Sequence, residues 1–231
     1  MRLCQAKSNQ RIEFNRVSMS YPMHPVNQSQ LEATYVERLQ QLIQQHDGIM
    51  SILKQLYLVD ASAYIAAGVI RNMLWSVLHQ HSYTLSHTEV DIIFYDAEDN
   101  GAHSDQIQKE MQSFFPLIQW DVTNQALVHH WYRLDNGESI QPLKSIEHAL
   151  SFWPETATAV AVKLKAEQEI EIIAPFGLND LFELKLRWNP RLVSLTVFQQ
   201  RIVSKQWMQR WPKLSLVEVD VENWVGNGLL N

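Results

Sequence analysis

Three acidic side chains stand where they could act on one chemical group. Glu89 and Asp91 flank a single residue in Glu89-Val-Asp-Ile-Ile-Phe-Tyr-Asp96, a β-branched and aromatic run bounded by polar residues that predicts a buried strand. Side chains at i and i+2 of a strand leave the same face, so both carboxylates reach one point. Two acids side by side in a buried strand repel unless a cation or solvent relieves them. The ion such a pair would hold is Mg2+ (or Mn2+), a hard cation usually bound together with substrate phosphates. The other reading of the same spacing puts Glu89 at the strand's wet end and leaves Asp91 alone half-buried. Asp121, in the apolar Gln119-Trp-Asp-Val-Thr123, supplies a third ligand if its strand lies beside the first. Two metals so held would activate an attacking hydroxyl and stabilise a leaving pyrophosphate. Gly68 stands at a turn into a helical run, where free N–H groups and the helix dipole suit an anion, though a glycine there also serves as a plain turn.

Cations and amides around these acids have two readings each. Arg201 and Lys205, four residues apart on one helix face, suit a triphosphate or simply keep that face solvated. Arg71, just inside the helix after Gly68, is a similar candidate. Asn124 and Gln125 offer amides to a base or sugar, or to backbone groups at a strand end. Glu155 and Asp180 read as caps or surface charges before catalytic groups. His79, His81 and His87 span a helix end and a loop without a nearby Cys, a poor pattern for zinc. Trp75, Trp120, Trp131 and Trp153 lie in apolar runs and read as core, whereas Trp207 and Trp211 flank Arg210 and read as stacking platforms.

Composition narrows the class. The chain has 231 residues with 46% hydrophobic and 19% charged, ordinary for a folded domain. One Cys excludes an internal disulfide framework and any multi-Cys zinc site. No apolar run approaches the ~20 residues needed to span a bilayer, and the first residues lack the apolar core of a secretory signal, so a cytoplasmic protein without membrane partners is expected. The net charge of −6 argues against coating nucleic acid through bulk charge. Yet residues 182–213 carry seven cations against one acid, so a basic C-terminal region could meet a polyanion locally. Gly-x-Ser-x-Gly, Walker and dinucleotide fingerprints are all missing from the sequence.

The elements that must position these residues follow from periodicity and breakers. Residues 1–28 are polar and aperiodic and read as a flexible tail. Ser29 and Glu32 have capping-box spacing before the helical stripe Leu31, Tyr35, Leu39, Leu42, Ile43, and a second helix covers 49–58. A short apolar segment reaches Gly68 and a helix follows to Leu78. The strand at Glu89 precedes a helix over 105–115 with Asp105 as its cap; Pro116 ends it, and a strand covers 117–122. Helices are expected over 125–132, 145–153, 178–184 and 195–207, with a hairpin of 158–164 and 169–174. Alternating helices and strands make the class α/β or α+β with a mixed sheet flanked by helices, in a domain spanning 29–215 followed by a C-terminal tail, 216–231.

Together the glycine turn and the acidic strand resemble the nucleotidyltransferase superfamily of DNA polymerase beta and the tRNA CCA-adding enzymes. In the latter, Gly-Gly-x-Val-Arg-Asp leads into a helix and an Asp-x-Asp strand follows. Ala67-Gly-Val-Ile-Arg-Asn72 looks like that turn and Glu89-Val-Asp91 like that strand. The sequence is closer still to a bacterial family of nucleotidyltransferase-like proteins. Its blocks look like Ala67 to Trp75, Trp120 to Ala126, Trp153 to Thr158, Ala174 to Leu181 and Phe198 to Pro212, in that order, so the likeness covers roughly 40–215. Glu89 and Ala67 depart from the superfamily, which usually has Asp and Gly there, and Asn72 stands where the CCA-adding enzymes carry Asp.

The resemblance implies a nucleotidyltransferase-like fold in which Glu89, Asp91 and Asp121 are the catalytic, metal-binding acids. Gly68, Arg71, Asn72, Asn124, Arg201 and Lys205 are then the nucleotide-binding set. The expected reaction moves a nucleoside monophosphate from a nucleoside triphosphate to an acceptor hydroxyl and releases pyrophosphate. The acidic body suits a small acceptor better than long nucleic acid, although an RNA end could meet the basic helix. The alternative is a binding module on the same fold, for a nucleotide or a protein partner, without transfer activity. A toxin–antitoxin component is a third reading, on superfamily analogy alone.

Overall fold

The computed structural model describes residues 27–86 and 88–218. Most of both expected tails, and His87, lie outside the described residues. Two helices open the fold, α1 (Gln28–Gln44) and α2 (Asp47–Val59). The capping box of α1 is Asn27 with Gln30, not Ser29 with Glu32. Asn27 has the same spacing to an amide three residues on, and Asn caps as well as Ser. Glu32 is used elsewhere, its Oε1 accepting the Leu178 N–H at 2.8 Å.

Strand β1 (Tyr64–Ala66) turns at Ala67 into α3 (Gly68–Leu78). Then come β2 (Glu89–Phe94), α4 (Ala102–Phe114) and β3 (Gln119–Asn124). Gly101, not Asp105, stands at the N-cap of α4; Asp105 lies in its first turn. β2 and β3 run parallel, which requires the crossover that α4 provides. Short helices α5 (Val128–Trp131) and α6 (Ile146–Leu150) precede the antiparallel hairpin of β4 (Ala161–Leu164) and β5 (Ile170–Ile173). The chain continues through α7 (Asn179–Phe182), β6 (Lys185–Leu186), α8 (Leu195–Ser204), α9 (Trp207–Arg210) and β7 (Ser215–Leu216).

The main sheet is ordered β3-β2-β1-β4-β5 and mixed, as expected, and helices flank it. One face carries Ile65, Val90, Ile92, Phe94, Trp120, Val162 and Leu164 into the principal core with Leu39, Ile52, Leu56, Ile70 and Met111 of α1 to α4. Each such large apolar side chain stabilises the fold by about 1.5–3 kcal/mol. The other face carries Tyr64, Ala66 and Ile93 against Ile146 and Leu150 of α6. That cover is partial, and the uncovered part of this face holds the acids.

Two features escape periodicity. The expected helix 195–207 breaks at Gln206, whose φ of 51° is left-handed, so that Trp207 turns inward. The pair β6 and β7 forms a small parallel sheet whose two-residue strands are too short to show a pattern. Among the described residues, no helix is long and apolar enough to cross a membrane.

Candidate active site

In the parallel pair β2 and β3, Asp91 is in register with Asp121. Paired residues share a face on strands about 4.8 Å apart, so the two carboxylates stand side by side. Glu89 is on the same face, about 6.6 Å back along β2, at the strand's exposed first position. Asp91 is half-buried and Asp121 exposed. Burial, then the charges of Asp121 and Glu89, push the Asp91 carboxyl up to about 6, against the opposing pull of Arg71 and the Gly68 N–H that donates to it. The Thr123 hydroxyl donates to Asp121 Oδ1 at 3.2 Å.

The turn that supplies the Gly68 N–H is strained. Ala67 has φ 57° and ψ −121°, a conformation natural to glycine and costly for a residue with a Cβ. It is tied down by its own N–H, which donates to the Val160 carbonyl at 3.0 Å. At Gly68, by contrast, an added Cβ would meet nothing nearer than Arg71 Nη2 at 3.7 Å, so packing does not demand a glycine there. Its missing side chain leaves open space beside the first N–H groups of α3, next to Asp91.

Arg71 is buried beneath this turn. Its Nη1 donates to Thr158 Oγ1 at 2.9 Å, and its Nε and Nη2 donate to Asn72 Oδ1 at 3.2 and 3.0 Å. The guanidinium lies over the rings of Trp207 and Trp75 at 4.6 and 5.3 Å. Trp207 and Trp211 are therefore core residues packed edge-on to Trp75, not stacking platforms. Glu155, read as a cap or surface charge, is 0% exposed and makes no side-chain cap bond; Arg201 Nε donates to it at 2.7 Å. Glu155 and Arg71 are buried behind the site, and Arg201, partly exposed, joins them to the cavity.

A cavity of about 420 Å3 opens from the acids. Asp91, Asp121, Thr123 and Gln125 line one side, Trp131, Tyr132, Phe152 and Trp153 supply aromatic walls, and Arg201 stands at its edge. Trp131, expected in the core, is 62% exposed. Sequence reading missed these walls because an aromatic in an apolar run looks the same whether it faces the core or a cleft.

The other candidates fall outside the cavity lining. Asn124 Oδ1 accepts the N–H groups of Asp96 and Ala126, and its Nδ2 donates to the Asp96 carbonyl and Asp99 Oδ2, so it fastens the β2–α4 loop. Asn72 holds Arg71. Lys205 is exposed at the C-cap of α8. The basic stretch is largely absorbed internally: Lys185 pairs with Glu183, Arg187 with Asp180, Arg201 with Glu155, and Lys213 Nζ donates to the Leu78 carbonyl. His79 is likewise committed, to the Trp75 carbonyl and the Lys213 N–H.

Among the described residues, no three His, Cys, Asp or Glu side chains form a ready-made metal cage. The Asp91–Asp121 pair fits the sparser demand of Mg2+, which takes one or two carboxylates and completes its shell with water and substrate phosphate. Burial raises Asp91 first and the charge of Asp121 next, and a cation between the two aspartates would offset both.

The fold is similar to that of a protein whose NMR structure reveals a CCA-adding enzyme head domain, with TM-score 0.65 and 24% identity over 79% of this chain and 96% of that one. It is also similar to CCA-adding enzyme in complexes with CTP and with ATP, each at TM-score 0.51 and 17% identity. This chain spans 43% of the length of those enzymes. None of the curated proteins compared with it matches. Residues 51–216, which contain the whole five-stranded sheet, the acids and the cavity walls, match the model of a family described as nucleotidyltransferase, and the chain belongs to that family.

Proposed function

We propose that the protein transfers a nucleoside monophosphate from a nucleoside triphosphate to an acceptor hydroxyl at the Asp91–Asp121 pair, with Mg2+ or Mn2+. The observation that carries this reading is the register pairing of the two aspartates beside the Gly68 turn, at the mouth of the cavity. The family and the fold support nucleotidyl transfer in general. The acceptor oxygen would form a bond to the α-phosphorus while the bond to the bridging oxygen breaks, releasing pyrophosphate. A bound divalent ion would neutralise charge on the phosphates and lower the acceptor hydroxyl's pKa. The chain's own residues do the positioning. Asp91 and Asp121 would hold the ion, Gly68 leaves room for phosphate at the N-terminus of α3, and the Glu155–Arg201 pair fixes a cation at the cavity edge. Glu89, at the strand's exposed end, would contribute through charge. With most cations of the 182–213 stretch internally bonded, a small acceptor fits better than a long nucleic acid.

The second reading is a nucleotide-binding module without transfer activity. It is favoured by the exposed position of Glu89, which leaves two aspartates where three acids were expected. The test is incubation with each nucleoside triphosphate labelled at the α-phosphate, Mg2+ or Mn2+, and separate pools of small metabolites and total RNA. Label appearing in one pool, with pyrophosphate released in equal amount and neither seen with Asp121→Asn, supports transfer. Tight nucleotide binding without labelled product, indifferent to metal, supports the module.

A further inference from the structure

The cavity lining includes a buried carboxamide that makes no hydrogen bond among the described residues. Gln125 is 5% exposed and lines the cavity, and its carboxamide has no hydrogen-bond partner among the described residues. The residue is held in place by burial while its amide opens onto the cavity, free to bond whatever fills that space. Its placement follows from where β3 ends. Asp121 and Thr123 alternate onto the site face of β3, and Gln125, first residue of the 3-10 turn that follows the strand, joins them in the cavity lining, while Asn124 turns to the other side and is consumed by the β2–α4 loop. Gln125 therefore lies four residues beyond the aspartate that would hold the phosphates, at most roughly 13 Å away at about 3.3 Å per residue, room for a sugar between phosphate and base. Around it the walls are aromatic and apolar: Trp131, Tyr132, Phe152 and Trp153. Asp91, Asp121 and Arg201 are the charged residues of the lining, and Arg201 is already paired with Glu155.

A carboxamide presents a donor, Nε2–H, and an acceptor, Oε1, side by side in one plane. Its complement is a planar ring with an adjacent acceptor and donor on one edge, and the surrounding aromatics offer faces for such a ring to stack on. We infer that this cavity is the nucleobase pocket of the nucleoside triphosphate and that Gln125 reads the hydrogen-bonding edge of the base, with Trp131 as its exposed wall. The inference rests on the nucleotidyl-transfer reading and deepens it. The cavity belongs to the nucleotide, and selection among bases comes from this side chain and not from Asn124.

The test compares the affinities of ATP, CTP, GTP, UTP and inorganic triphosphate for the wild type, Gln125→Leu, Gln125→Glu and Trp131→Ala, by calorimetry at fixed Mg2+. At least one nucleotide should bind tenfold or more tightly than inorganic triphosphate. Gln125→Leu should weaken that nucleotide about tenfold, compress the spread among the four bases, and leave inorganic triphosphate within twofold. Trp131→Ala, at an exposed position that folding tolerates, should weaken all four together. A base whose amino group carries two methyls, and so has lost its donor, should bind the wild type more weakly than its parent, which reads the edge without any variant. If nucleotides bind no more tightly than inorganic triphosphate, or if both Gln125 variants keep the base spread, the inference is wrong while the transfer reading stands. If neither nucleotides nor triphosphate bind, both are wrong.

Discussion

Removing a charge from the site should make the protein more stable, in a way that depends on pH. Asp91 ionises at about 6 in the folded chain against an ordinary 3.8, chiefly because it is buried and secondly because Asp121 and Glu89 stand near it. A group whose pKa rises on folding favours the fold below its unfolded pKa and loses that contribution as pH climbs through the folded value. Below about pH 4 the carboxyl is protonated in both states. Above about pH 6 it is ionised in both, and the folded state carries the full penalty. Two pKa units at about 1.4 kcal/mol each give roughly 3 kcal/mol. Asp91→Asn has the same shape, keeps an oxygen to accept the Gly68 N–H, and never ionises. At pH 8 it should exceed the wild type by up to about 3 kcal/mol, which is roughly 6–12 °C in melting temperature for a chain of this size. The gap should close between pH 6 and pH 4. Thermal unfolding of both proteins from pH 4 to 8, without divalent ions, measures it. An Asn variant that is equally or less stable at pH 8, or offset by the same amount at every pH, would refute the reasoning that the acids repel in a partly buried site.

Ala67→Gly relieves a left-handed backbone but gives the unfolded chain more freedom, and should gain about 1 kcal/mol net in urea unfolding, whereas Ala67→Val should lose stability. Glu155→Gln removes the partner of Arg201 and the anion that acts most strongly on the buried Arg71. Because Arg201 can still reach water, the loss should be roughly 2–3 kcal/mol, below the range for a fully enclosed pair, and Arg201→Met combined with it should cost less than the sum of the two. Asn124→Ala strips the bonds that fasten residues 96–99 and should lower the melting temperature by several degrees, while nucleotide affinity measured below that temperature stays within about twofold.

The parts of the fold that announced themselves were those with a period or a breaker. The β-branched run at Glu89 and the hairpin around 165–168 appear where pattern places them, as do the helix after Gly68 and the mixed sheet itself. The acids at 89, 91 and 121 share a face because alternation is a property of any strand. That Asp91 and Asp121 stand in register depended on α4 returning β3 parallel to β2, which spacing alone does not reveal. Carried to its true end at 124, β3 would have put Asn124 on the face opposite Asp121; Gln125 lies past the strand, in a 3-10 turn that parity does not reach. What sequence hides is pairing across distance. Glu155 finds Arg201, and Asp180 finds Arg187, so a stretch that reads as a uniformly basic surface is partly neutralised. Tryptophans show the same limit: Trp207 and Trp211, beside a cation, are buried, while Trp131, in an apolar run, faces a cleft. Hydrophobicity decides that such rings avoid water; only the packed chain decides which of them has a cavity to line.

The most direct test of the Asp91–Asp121 site is thermal unfolding of the wild type and Asp91→Asn with ATP, CTP, GTP or UTP, each with and without Mg2+ or Mn2+. A nucleotide at ~100 times its dissociation constant should add about 2.7 kcal/mol, or roughly 5–11 °C. The expected result is stabilisation of the wild type that needs nucleotide and metal together and is lost in Asp91→Asn. Stabilisation of equal size in both proteins, or none from any nucleotide with either metal, would contradict the assignment of the two aspartates as the nucleotide's metal site.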